Sequence, residues 1–154
     1  FKLPKRLTGV TTFTIQVTNR KLHIGGLSFK KLEKTWSPLS VTDIDRIYGD
    51  AFCKTDDAIT GIGNNVTIEY TDMDFGERTC VVIEITGRSP IEKNTIHVRT
   101  SNGTNETLNI AEFPYSDDYV TKRFPVNVLS GSQTVTLLFL PGSNFDLKGI
   151  RFVR

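Results

Sequence analysis

The sequence predicts an all-β fold, a sandwich or a barrel, in one domain of 154 residues. Nearly every apolar stretch is short, rich in β-branched or aromatic residues, and alternates with polar positions, as half-buried strands do. Clusters of Gly, Asn, Asp, Ser and Pro separate these stretches at roughly 8–12 residues, a spacing typical of β-sandwiches and barrels. A hydrophobic content of 38% and a charged content of 23% indicate a globular chain.

Eight strands are predicted in order along the chain. They are TTFTIQVTN, NNVTIEYTDMDF, TCVVIEITGR, NTIHVRTSNG, ETLNIAEF, KRFPVNVLSG, QTVTLLFLPG and FDLKGIRFV. Residues 134–140 are almost continuously apolar, which predicts a central strand. In NTIHVRT the alternation predicts that Ile96 and Val98 point inward while His97 and Arg99 point outward.

The remaining segments carry weaker signals. VTDIDRIYGD is predicted to hold one helical turn at most. Residues 1–19 are predicted to be a linker or an N-terminal edge strand, and residues 20–154 the sandwich itself. Because the chain begins without Met, we expect it to be a piece excised from a longer protein.

Charge and hydropathy exclude several classes of partner. The chain has 19 basic and 17 acidic residues, a formal net charge of +2, and no basic run. This balance is too small to indicate nucleic acid, so we expect a neutral or weakly charged ligand or another protein. No stretch approaches the roughly 18 apolar residues of a membrane span, and the basic start FKLPKRLTGV lacks the apolar core of a signal peptide.

Cysteine, histidine and aspartate patterns do not predict a metal site. Cys53 and Cys80 lie in strand-like surroundings and are predicted to be buried free thiols. His23 and His97 have no second ligand at metal-binding spacing. The aspartates around VTDIDRIYGD do not match a calcium-binding loop and are expected to be caps or solvated charges. They are Asp43, Asp45, Asp50, Asp56 and Asp57.

Three ordered stretches resemble carbohydrate-binding modules of family 6 and their relatives. They are GIGNNVTIEYTDMDFG (61–76), GSQTVTLLF (131–139) and FDLKGIRF (145–152). A wider pattern, LHIGGLSFKKLEKTW, DIDRIYGDAF, GRSPIEKNTIHVR and LPGSNFDLKGIRF, resembles the jelly-roll modules attached to bacterial glycoside hydrolase family 2 enzymes, β-galactosidases and β-glucuronidases. The resemblance covers roughly residues 20–154. It implies a galactose-binding-domain-like β-sandwich jelly roll, with a compartment set by the parent enzyme.

The resemblance also implies where a sugar would bind. Those modules often hold the sugar between two aromatic rings, with an Asn in the final strand. The Asn position aligns with Asp146 and the second aromatic with Tyr119. The first aromatic falls near Gly61, so Trp36 or Tyr48 would have to replace it from another loop. The candidate carbohydrate-binding residues are therefore Tyr119, Asp146, Trp36, Tyr48, Tyr115 and Asn144.

The resemblance further implies that a structural calcium site has been lost. The final-strand Asp that commonly holds calcium in the family aligns with Lys148. A lysine has donors and no acceptor and cannot ligate calcium. We expect no cofactor, with the Lys148 ammonium beside Glu33 or another acid in place of the ion.

Two functions remain open. The first is a non-catalytic module that holds a glycoside hydrolase near a galactose- or glucuronate-bearing glycan. The second is a structural domain that packs on the catalytic domain or a second subunit, favoured by the missing ring near Gly61. Trp36 is either a stacking platform or a residue packed under a loop. Hydrolysis by the chain itself would need paired acids, which no local signature identifies among Glu69, Glu84, Glu112 and Asp146.

Overall fold

The chain divides into two compact units, Phe1–Lys31 and Leu32–Arg154. The computed structural model describes Thr12, residues 14–18, Lys21, residues 23–26 and residues 34–154. The predicted boundary after residue 19 falls where many residues lie outside this description, and it stays a prediction.

The strand predicted over residues 11–19 is not formed at residues 14–18, which have neither strand nor helix. Alternation states which side chains would share a face, but a strand also needs a hydrogen-bonded neighbour for its backbone groups. The described part of this stretch has no such neighbour. The prediction is therefore wrong for residues 14–18.

Residues 34–154 form nine strands and two 3-10 turns. The turns are Lys34–Trp36 and Val41–Asp43, and the second is the single helical turn predicted there. Neither turn in this part of the chain is long and apolar enough to cross a membrane. The strands are β1 (Leu39–Ser40), β2 (Arg46–Tyr48), β3 (Cys53–Lys54), β4 (Ile59–Ile62), β5 (Thr67–Asp74), β6 (Cys80–Ser101), β7 (Glu106–Asn127), β8 (Ser132–Phe139) and β9 (Phe145–Val153).

All strand pairings are antiparallel, and β6 and β7 connect two layers. The first half of β6 pairs with β9, and its second half pairs with β8. The first layer is thus β7-β6-β9-β4-β3, with β1 also on β9, and the second is β7-β6-β8-β5-β2. The register of β6 with β7 shifts around Ser89, where both strands pass between layers. Four predicted strands therefore merge into two, and the β-sandwich jelly roll is confirmed.

The core lies between the layers and is built from alternate residues of every long strand. The Phe145 ring on β9 packs against Phe113 and Phe139 of the other layer, with centroids 4.9 Å and 5.6 Å away. Ile96 and Val98 are fully buried, as predicted. The central position predicted for residues 134–140 is confirmed, because β8 lies between β5 and β6.

A side-chain amide closes one edge of the sandwich. The two halves of β7 are edge strands of the two layers. The Asn109 Nδ2 donates to the Asn127 carbonyl oxygen at 2.7 Å, and its Oδ1 accepts the Asn127 N–H at 2.8 Å. Asn109 therefore supplies both bonds that a neighbouring strand would supply, and it links the layers where no strand does.

The prediction of buried thiols is wrong, since Cys53 and Cys80 are free and exposed. Cys53 lies in the two-residue edge strand β3, which has little core to cover it. Cys80 begins β6, and the next residue, Val81, takes the inward position. An apolar neighbourhood in sequence does not distinguish the inward from the outward side of a strand end.

Candidate functional site

Asp146 lies at the centre of a polar cluster on the outer face of the first layer. It faces Arg88 of β6 in register. The Arg88 Nε donates to Asp146 Oδ2 at 3.0 Å, and the guanidinium Nη2 contacts the same oxygen. The Gly61 N–H of β4 donates to Asp146 Oδ1 at 2.8 Å. Both carboxylate oxygens are therefore engaged, and the side chain is 9% exposed.

The two partners of Asp146 compensate for its burial. The hydrogen bond and the charge of Asp146 raise the pKa of Arg88, because they stabilise the charged guanidinium. Gly61 adopts φ +62, a conformation that L side chains rarely take. An aromatic residue would be strained there, which explains physically why no ring stands at this position.

Tyr119 of β7 adds an aromatic ring to the same cluster. The Lys148 Nζ lies 4.5 Å from the ring centroid and the Arg88 Cζ lies 5.5 Å from it, both within cation–π distance. Partial burial, and then the charge of Asp146, raise the pKa of the Tyr119 hydroxyl. The phenol therefore stays neutral and half-buried beside two cations. We call Tyr119, Arg88, Asp146 and Lys148 the Tyr119 cluster.

A bulge in β9 lies at Lys148 and brings Arg151 to the face that Asp146 and Lys148 already share. Gly87 pairs with Leu147 and Thr86 pairs with Gly149, so Lys148 has no partner in β6. A Cβ at Gly149 would lie 2.3 Å from the Leu39 carbonyl oxygen, because β1 passes there. The glycine and the extra residue shift the alternation by one. The inward residues change from Phe145 and Leu147 to Ile150 and Phe152, while Asp146, Lys148 and Arg151 share the outer face.

Asn144 and Tyr115 precede members of the Tyr119 cluster in the sequence. Asn144 is exposed, and its N–H donates to the Oδ1 of the buried Asn94 at 2.9 Å. Tyr115 is 53% exposed, and its hydroxyl donates to Asp117 near the bend of β7. Asn144 lies two residues before Asp146, and Tyr115 lies four residues before Tyr119.

Trp36 and Tyr48 lie elsewhere. Trp36 packs edge-on against Phe75 at 5.9 Å, and the Arg154 guanidinium lies 4.9 Å from its ring centroid. Arg154 follows Asp146 by eight residues, roughly 26 Å along an extended strand. Tyr48 is 49% exposed on β2, in the second layer. Neither ring joins Tyr119.

The second layer's outer face carries a shallow cleft of about 510 Å³ that the sequence did not indicate. Arg46 and Glu69 form a pair at 3.9 Å beside it, and Arg99 pairs with Glu106 at 4.0 Å. The sequence marks this cleft only by threonines at alternate strand positions. This pattern is equally typical of any solvated strand face. Lining residues are Glu69, Thr71, Arg99, Ser101, Thr134 and Thr136.

The four acids considered for hydrolysis do not form a catalytic pair. Glu69 and Glu112 lie on strands of the second layer, beside Arg46 and Lys93 respectively. Glu84 and Asp146 lie on the first layer, paired with Arg123 and Arg88. Each acid thus faces a base of its own, whereas hydrolysis of a glycosidic bond requires two acids around one bond.

The described residues contain no group of three or more His, Cys, Asp or Glu side chains that could hold a metal ion. The predicted cap is confirmed for Asp43, in the turn Val41–Asp43, whereas Asp45 instead joins β5 and Lys34. Asp43 accepts the Ser40 N–H at 2.8 Å, and Asp45 accepts the Thr71 N–H at 2.7 Å and the Lys34 ammonium. Glu33, the expected neighbour of Lys148, lies outside the described residues, so that pairing stays a prediction.

Comparison with known proteins gives structural relatives only. The sequence matches no protein-family model and no curated protein. The fold is similar to a family 6 carbohydrate-binding module from Clostridium cellulolyticum in complex with xylose (TM-score 0.65, 19% identity, 78% of this chain and 98% of that one). It is also similar to a β-1,3-glucan-binding family 6 module from Bacillus halodurans (TM-score 0.64, 21% identity, 78% and 97%).

A third similar structure is a longer enzyme. It is the exo-β-1,3-galactanase of Phanerochaete chrysosporium with β-1,3-galactotriose (TM-score 0.57, 13% identity, 76% of this chain and 29% of that one). At these identities the comparisons establish a shared fold.

Proposed function

We propose that the chain is a non-catalytic carbohydrate-binding module that holds a larger glycoside hydrolase near its glycan substrate, which raises the effective substrate concentration. The observation that carries this proposal is the partly exposed Tyr119 ring with Arg88 and Lys148 beside it on one outer face. A pyranose presents an apolar face and a rim of hydroxyls, and this cluster offers a ring and N–H donors for them.

Asp146 acts within this proposal by positioning its neighbours. Its two oxygens already accept hydrogen bonds from Gly61 and Arg88. The carboxylate therefore fixes the guanidinium at the sheet surface, where its other N–H groups face a ligand. Asn144 and Tyr115 would contact a second sugar unit.

The similar structures support the proposal as analogies. Two of them are sugar-binding modules, for xylose and for β-1,3-glucan. The matched part makes up 29% of the galactanase chain. A sandwich joined to a catalytic domain would give such a share. Attachment to a family 2 glycoside hydrolase and a galactose- or glucuronate-bearing ligand belong to the proposal.

A glycan array followed by calorimetry tests the site. We expect Tyr119→Ala to weaken binding of the best glycan roughly tenfold, since an aromatic contact contributes about 1 kcal/mol or more. Tyr48→Ala is the matched control, because it removes an exposed ring from the second layer. If Tyr48→Ala abolishes binding while Tyr119→Ala leaves it intact, the sugar site lies at Tyr48 on the second layer and the proposed site is wrong.

The absence of a calcium ion at Lys148 is also part of the proposal. Thermal unfolding in 5 mM calcium (roughly 5 to 50 times the Kd of about 10⁻⁴–10⁻³ M typical of extracellular modules) and in chelator tests it, because a bound ion raises the unfolding temperature by mass action. We expect equal melting temperatures. A rise of several degrees with calcium that Lys148→Ala leaves unchanged would place an ion elsewhere in the module.

A structural accessory role is the second candidate. It is favoured by two exposed apolar side chains of β7, Leu108 (52%) and Ile110 (57%), on the second layer and away from Tyr119. Apolar side chains at a free sheet edge favour docking against another domain. A folded protein that binds no glycan would support this role.

A further inference from the structure

The outer face of the first layer carries four basic side chains. Arg88 extends from β6, Arg123 from β7, and Lys148 and Arg151 from β9. We call these four residues the basic face. Glu84 faces both Arg123 and Arg151 in register. With Asp146 this makes four bases against two acids, and Asp118 is a further acid at the rim that acts on Arg88.

The acids of this face lie deeper than the bases. The Glu84 side chain is 22% exposed, against 62% for its partner Arg123. The Asp146 side chain is 9% exposed, against 45% for Arg88. A ligand that approaches the sheet therefore meets the guanidinium groups first, and the potential near the surface is positive.

Lys148 has no acid within ion-pair distance among the described residues. Its contact is the Tyr119 ring, 4.5 Å from the Nζ. A cation–π contact leaves the ammonium charged and its N–H groups free to donate. Among the described residues, the aromatic platform thus has at its edge a cation that no acid pairs with, while the nearby Arg88 is already held by Asp146.

We infer that the glycan taken by this face is anionic, a polymer whose units carry carboxylate or sulfate groups. This inference rests on the proposed function, because it names the charge of the same ligand. One sugar ring lies on Tyr119 with its anion at Lys148. A chain that runs along β9 then passes Arg151, roughly 10 Å further along the strand. The net charge of the whole chain does not reveal the positive charge of the basic face, because it sums the charges of both layers.

Matched polymers test the inference by calorimetry. The pairs are polygalacturonate with its methyl ester, and dextran sulfate with dextran, in low salt and in salt of about 0.5 M, where screening is strong. We expect the charged member of each pair to bind at least tenfold tighter in low salt, with the difference shrinking as salt is added. Lys148→Gln should reduce the affinity for the charged member about tenfold and that for the neutral member far less, because glutamine keeps an N–H donor for sugar hydroxyls but removes the charge.

Arg46→Gln is the control, because it removes the same charge from the second layer. If Lys148→Gln and Arg46→Gln weakened binding of the charged polymers equally, the preference would depend on the net charge of the protein alone, and the inference would be overturned. Equal binding of charged and neutral polymers would overturn it while the proposed function stands. Binding of duplex DNA as tight as that of the polyanions would also overturn it. A folded protein that binds none of the polymers would contradict both proposals.

Discussion

The two outer faces of the sandwich share β6 and β7 but differ in how their charges are held. On the first layer Asp146 is nearly buried and accepts hydrogen bonds from Arg88 and from a backbone N–H. On the second layer Arg46 stands 3.9 Å from Glu69 with 64% of its side chain exposed. Exposed pairs of this kind are screened by water, whereas the buried pair fixes one geometry. The charges of the first face are therefore held in one arrangement, whereas those of the second face lie in a solvated cleft.

The largest effect is expected where β1 passes against the bulge of β9. In Gly149→Ala the new Cβ would lie 2.3 Å from the Leu39 carbonyl oxygen, a backbone atom that cannot move alone. We expect a loss of about 2–3 kcal/mol in the free energy of unfolding. Urea denaturation measures it, with the outward Thr136→Ala of the second layer as control. Equal stability of the two variants would mean that β1 does not constrain the bulge.

The buried carboxylate gives the next effect. Asp146→Ala leaves the Gly61 N–H without its acceptor and Arg88 without its partner. Because Arg88 is itself partly exposed, we expect a loss of about 2 kcal/mol in the free energy of unfolding. Asp146→Asn keeps an acceptor and should lose less. Glu69→Ala, which breaks the exposed pair of the second layer, should stay within about 0.5 kcal/mol. The same denaturation series measures all three, and an equal loss in Glu69→Ala would remove the contrast between the faces.

The edge where the layers meet gives a smaller effect. Asn109→Ala removes both hydrogen bonds to the Asn127 backbone at an edge that water can reach. We expect a loss of about 1 kcal/mol and faster hydrogen exchange at the Asn127 amide. Thr104→Ala, in the β6–β7 turn, is the control. Unchanged exchange at that amide would show that the edge is closed by other contacts.

Acid sensitivity gives the smallest effect, at the edge of the second layer. Burial acts to raise the pKa of Asp45, but hydrogen bonds from Lys34 and the Thr71 N–H outweigh it, so the pKa lies below its usual 3.8. The stabilisation is therefore present above about pH 4 and is lost as the pH falls through the lowered folded-state pKa. Unfolding measured from pH 2 to 6 should be less pH-dependent in Asp45→Asn. Identical profiles for both proteins would exclude this contribution.

The sequence predicted much of the fold but only part of the site. Alternation located the strands of residues 67–153, and the family resemblance named Tyr119 and Asp146, which the structure places in one cluster. Arg88 was missed because its partner lies 58 residues away and no local pattern connects them. The bulge at Lys148 was also missed, since a one-residue shift of alternation is visible only when β9 is paired.

Alternation along each long strand is a local property, because the period of side chains along a strand depends only on the backbone. Residues 14–18 show that alternation alone does not form a strand. Which strands become neighbours, and so which charges meet, depends on long-range pairing. The pairing of β6 with both β8 and β9 divides the long β6–β7 pair between two layers. It buries Asp146 beside Arg88 and brings four bases that are scattered in the sequence onto one surface. These outcomes belong to the tertiary structure, since each joins residues that are distant in the chain.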